Sequence, residues 1–135
     1  MSAVAVLRHI LAADATLIAQ VPAARIMAGV IPINTTLPAI SVTEISAVDR
    51  KTVAMNDGET LVTSRVQVTI MAKTYPLVKS ILELARKACA HQTGTINSVA
   101  VKSILPESAG PDLQDVDAGI FMQSRDWLVQ WAATN

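Results

Sequence analysis

The chain has 135 residues, 51% of them hydrophobic and 16% charged, and its eleven basic and eleven acidic side chains cancel. That length suits one domain spanning 1–135, and the zero balance excludes a strongly basic nucleic-acid binder and gives no reason for an anionic membrane as partner. A charged share below the ~25% of an average soluble domain implies either a generous core or apolar surface covered by other subunits.

In residues 3–21, Val6, Leu7, Ile10 and Leu11 have helical spacing. Asp14 is placed to cap a further turn carrying Leu17, Ile18 and Val21 before Pro22 stops it. Arg8, His9 and Asp14 interrupt the stretch too often for a signal-peptide core or a membrane span. With the single Cys89 excluding an internal disulfide, this suggests a protein made in cytoplasm. Residues 23–38, with Gly29, Pro32 and Pro38, read as irregular connection with a short extended piece at 25–27.

Residues 39–46, AISVTEIS, alternate as a strand. Residues 47–59 are polar and hold an Asp57-Gly58 turn signal, so they form either a long hairpin tip or an arm with strand at both ends and a mobile middle. The clearest strand follows at 60–72. It places Val66, Val68, Ile70 and Ala72 on one face and Arg65, Gln67, Thr69 and Met71 on the other.

The period then changes. Thr74 is a candidate cap, Pro76 suits a first helical turn, and Leu77, Val78, Ile81, Leu82, Ala85, Ala88 and Cys89 make an apolar stripe of about four turns. Glu83 and Lys87 stand at ion-pair spacing. Beyond Gly94, NSVAVKSIL predicts a strand, 106–117 an acidic loop, and AGIFMQSRDWLVQW a closing strand. This order belongs to an α+β fold: a mostly antiparallel sheet, an amphipathic helix on one face, and an N-terminal helix.

Chemistry-bearing side chains do not gather. His9 and His91 lie on separate segments without Cys, Asp or Glu at metal-ligand spacing. Cys89 sits on the apolar stripe, where a thiol is a small hydrophobe rather than a nucleophile. Asp112, Asp115 and Asp117 lack the alternating oxygen ligands and closing glutamate of a calcium loop. No phosphate loop or dinucleotide fingerprint is present, so the expectation is no catalytic residue, no cofactor and no metal.

The charges are segregated. Arg65, Lys73, Lys79, Arg86 and Lys87 face only Glu83 in their part of the chain, whereas 106–117 holds Glu107, Asp112, Asp115 and Asp117 without a base. The two groups are either solvated surface or patches that meet across a subunit contact. Trp127 and Trp131 share one strand face and are either core or intersubunit anchors, and Tyr75 is either a packed cap or a contact residue. The candidate interface is therefore Arg50, Lys51, Asp57, Tyr75, Lys79, Arg86, Asp112, Asp115, Trp127 and Trp131.

LPAISV, the polar interval, and RVQVTIMAKTYPLVKSILELARKAC resemble the tail completion or tail terminator proteins of long-tailed bacteriophages, also called minor tail or head-tail joining proteins. In that family a strand runs through a short link into the helix, here Ala72-Lys73-Thr74-Tyr75. AQVPAARI near the first helix and DVDAGIFMQSRDWLVQW at the end follow the same layout. The resemblance implies a non-enzymatic virion protein, assembled in the host cytoplasm, that forms a homo-oligomeric ring, usually a hexamer, at the tail end or neck. Its partners would be the tail tube protein and a neck or head-completion protein, with no sequence-specific nucleic acid and no membrane. Another neck connector or a tail tube subunit of related fold is the alternative.

Overall fold

In the computed structural model, which describes residues 2–32, 34–50 and 58–134, helices α1 (Ser2–Ala13) and α2 (Ala15–Ile18) are followed by a 3-10 turn and strand β1 (Ile26–Ala28). Strands β2 (Ala39–Arg50) and β3 (Glu59–Ala72) lead to helix α3 (Tyr75–Cys89). Strands β4 (Gly94–Ile96), β5 (Val99–Ala109), β6 (Leu113–Asp115) and β7 (Ile120–Thr134) complete the chain.

The strands make one sheet in the order β1-β2-β3-β7-β5-β4, with β6 paired to β7. Every pairing is antiparallel except β1 with β2. The α+β class and the mainly antiparallel sheet therefore hold.

All three helices share a core with one face of this sheet. Val6, Leu7 and Leu11 of α1, Leu17 of α2, and Val78, Ile81 and Cys89 of α3 are buried with Val66, Val68 and Ile70 of β3 and with Ile104, Trp127 and Val129. Fully burying each such aliphatic side chain contributes about 1.5–3 kcal/mol, so the helices stay where their stripes are covered. The alternation of β3 survives intact: residues 62, 64, 66, 68, 70 and 72 are buried, and those between are half exposed.

Local signals worked where they concerned single turns. The Asp14 carboxylate accepts the Leu17 N–H at 2.9 Å, as its capping position demands. Pro76 enters the first turn of α3, but Thr74 caps by position alone, its side chain making no capping hydrogen bond. The Glu83 carboxylate pairs with Arg86, three residues on, rather than with Lys87. Arg86 supplies a two-nitrogen fork, and both its bonds reach Glu83.

Other boundaries move. Strand β2 continues past Ser46 to Arg50, because the ladder with β3 persists to the Arg50↔Leu61 pair. A backbone ladder needs no apolar side chains once it leaves the helices behind. The ends of the 47–59 interval are therefore strand, while 51–57, with Lys51, Asp57 and the turn signal, lies outside the described residues. The 106–117 stretch is not all loop: β5 runs through Pro106 to Ala109, and β6 pairs with β7 from Leu113↔Met122 to Asp115↔Ile120. Strand β4, three residues long with no apolar alternation, was not legible in the sequence.

Candidate assembly surface

The sheet has two unlike faces. Opposite the helices, the half-exposed side chains of β3 and β7 form a polar ladder on which no described helix packs. Arg65 meets Asp126 at 3.1 Å, Gln67 donates to the other Asp126 oxygen at 3.3 Å, and the Thr69 and Ser124 hydroxyls lie 2.8 Å apart. These cross-strand pairs satisfy one another.

At one end of the sheet, β2 runs on beside β3 to Arg50, and β7 accompanies β3 to the Glu59↔Thr134 pair. Residues 44–50 of β2 are all exposed, including Ile45 at 52% and Val48 at 50%. A register shift between Glu44 and Ser46 takes Ile45 out of the ladder, and β1 pairs with β2 only at residues 40–42, so among the described residues no strand pairs with the outer edge at 45–50. Arg50 is exposed at the end of this strand.

At the other end, α3 is clasped to the β5–β6 connection. The Lys79 ammonium donates to Asp112 and to Gln123, each at 2.6 Å, and sits 5.1 Å from the Tyr75 ring centroid. The Tyr75 hydroxyl donates to the second Asp112 oxygen at 2.8 Å, and its ring meets Phe121 edge-on at 6.2 Å. Hydrogen bonding from Lys79, then from Tyr75, holds the Asp112 carboxyl below its ordinary value, and the Asp112 bond raises Lys79. Beyond the clasp lies a groove lined by Ile31, Pro32, Leu37, Met71, Asp115 and Ile120.

The candidate residues thus separate. Tyr75, Lys79 and Asp112 come together within one chain, so the basic and acidic groups meet here without a second subunit. Arg86 is engaged by Glu83 on the outer side of α3. Asp115 ends β6 and accepts the Ala118 N–H at 3.2 Å. Trp127 is core, 1% exposed, whereas Trp131 is half-buried and donates its indole N–H to Ser64 at 3.1 Å.

Gln123, absent from the sequence-based set, is the hub of the clasp; its signal was a polar residue in the inward register of β7, between Phe121 and Trp127. Cys89 is buried, and desolvation pushes its thiol up to about 12, so it remains protonated at neutral pH. Among the described residues no group of three or more His, Cys, Asp or Glu is placed to hold a metal, and no helix is long and apolar enough to cross a membrane.

Comparison with known proteins adds the context for these surfaces. A chain of a solved structure, "Virion of native gene transfer agent (GTA) particle", is similar with a TM-score of 0.75 and 13% identity, over 96% of this chain and 94% of that one. This likeness is one of fold. No curated protein matches the sequence. The family model of tail completion protein gp17 matches residues 5–121, from within α1 to the first residues of β7. The chain belongs to the tail completion protein gp17 family and is a structural protein of the phage tail.

Proposed function

We propose that the chain acts without catalysis, as a single-domain tail terminator or completion protein. Copies close into a ring, six in number, on the end of the tail tube. The ring halts tube growth and offers the surface to which the neck joins, so the protein resides at the tail end or neck of the virion after assembly in the host cytoplasm. Its partners are further copies of itself, the tail tube protein and a neck or head-completion protein. The observation that carries this reading is the amount of exposed strand among the described residues: a helix-free sheet face and a β2 edge to which no described strand pairs over residues 45–50. An isolated chain gains nothing from such an edge, which invites a partner strand or surface. Membership of a tail completion family and a similar fold in a virion particle support it.

Electron microscopy of particles made without this protein tests the reading. Overlong, headless or unjoined tails are the expected result. Normal infectious particles would overturn it, and missing tubes would transfer the chain to the tube itself.

A further inference from the structure

We infer that the groove beyond the clasp holds an extended segment of another tail or neck protein, with an arginine or lysine of that segment set against Asp115. The inference rests on the reading of the chain as a joining protein and names one of its surfaces. The groove lies between the connection from β1 to β2 and the turn from β6 to β7. Its volume is about 460 Å³, and its apolar lining includes Leu37, Met71 and Ile120. A second cavity of about 310 Å³, between Val30 and the strand residues Ser41, Thr43, Gln67 and Thr69, shares Ile31 and Met71 with the first. The two make one continuous cleft.

The chain itself fixes the walls of this cleft. The Gly29 N–H donates to the Val42 carbonyl at 2.9 Å, the Ser41 hydroxyl to the Gly29 carbonyl at 2.7 Å, and the Thr35 hydroxyl to the Pro32 carbonyl at 2.6 Å. On the opposite wall Asp115 Oδ1 accepts the Ala118 N–H. The site is formed before anything enters it, so binding need not order it.

Exposure singles out the same place. Among the described large apolar side chains Val30, at 87%, and Val116, at 77%, are the most exposed, and they belong to the two walls. Exposed Leu113 stands opposite Met122, which stands opposite Met71, so the apolar row continues across the sheet face. Apolar groups gathered around a surface cleft mark a place of contact.

Charge and shape select the occupant. Among the described residues no base lines either cavity, and neither Asp115 nor Asp117 belongs to an ion pair. An acidic rim over an apolar floor matches a long basic side chain, whose methylene stem packs on Met71 and Ile120 while its charged head meets the carboxylate. From Met71 to Gln67 the floor follows four residues of β3, about 13 Å, a length that an extended peptide of similar size spans. The hydroxyls of Ser41, Thr43 and Thr69 along it offer acceptors for main-chain N–H groups. Nucleic acid would bring phosphates against two aspartates.

The test uses particles assembled with photo-reactive benzoylphenylalanine in place of Val116, which is exposed enough to take the larger ring without filling the groove. After irradiation, mass spectrometry should find this position joined to an arginine- or lysine-containing segment of another virion protein. Attachment to a second copy of this chain, to DNA or to nothing would overturn the inference.

Charge variants give a second readout. Asp115→Asn keeps an acceptor for the Ala118 N–H and removes the charge, and it should lower the yield of joined particles several-fold. Asp115→Lys should lower it by roughly tenfold or more, and a glutamate in place of the cross-linked basic residue of the partner should restore it. Thermal melting checks that both variants are folded. A wild-type yield from Asp115→Lys would overturn the groove assignment, whereas the joining reading is judged separately by the particles made without the protein.

Discussion

Lys79 Nζ lies 2.6 Å from Gln123 Oε1, and this contact joins a helix to the inward face of the last strand. The Gln123 amide also donates to the Gly110 carbonyl at 2.8 Å, while the Gly110 N–H donates to Ser124 at 2.7 Å. One buried side chain thereby fixes both α3 and the end of β5 to β7. Replacing Gln123 with leucine keeps the bulk and removes both hydrogen bonds. The variant should lose about 1–3 kcal/mol in urea unfolding, because the Gly110 carbonyl is left without its side-chain donor. An unchanged midpoint would show that the connection is held by its backbone alone.

The clasp has a defined pH dependence. Asp112 is lowered, first by the Lys79 hydrogen bond and then by Tyr75, so its contribution is complete above the ordinary aspartate value and disappears as pH falls through the lowered one. Lys79 is raised by the same bond, so its share is present below the ordinary lysine value and lost as pH rises through the raised one. Carboxyl NMR should find Asp112 titrating below a typical aspartate, and Tyr75 ring shifts should follow it. Asp112→Asn should abolish that acid transition in the Tyr75 signals.

The two tryptophans should separate under mutation. Trp127→Ala removes a fully buried ring opposite Val66 and should cost about 3–5 kcal/mol, or prevent folding. Trp131→Phe removes the indole donor to the buried Ser64 hydroxyl together with part of a half-buried ring and should cost about 1–2 kcal/mol. Chemical unfolding of both variants checks the order. Equal losses would contradict the different burial of the two rings.

Cys89 should behave as a hydrophobe. With its thiol pushed up to about 12 by burial, the folded protein should resist a thiol-specific reagent at neutral pH until denaturant is added. Cys89→Ser should cost about 1 kcal/mol through desolvation of the hydroxyl. Rapid labelling of the native protein would contradict the burial.

For an assembly of this kind, local pattern carried much of the information. Alternation from Val66 to Ala72, the apolar stripe from Leu77 to Cys89 and the Asp14 cap each depend on neighbours within a few residues, so the sequence alone determined those elements and which sides they bury. Length and patterning likewise sufficed for the α+β class.

Only the tertiary structure decided that Lys79 reaches Asp112, 33 residues away, and that Gln123 stands between α3 and β5. It also decided that β2 stays in register to Arg50 after its apolar side chains end, leaving Ile45 and Val48 on an open edge. The physical reason is that periodicity records which face of an element avoids water. Which strands become neighbours, where a ladder outruns its core, and which charges meet are set by packing between segments far apart in the chain.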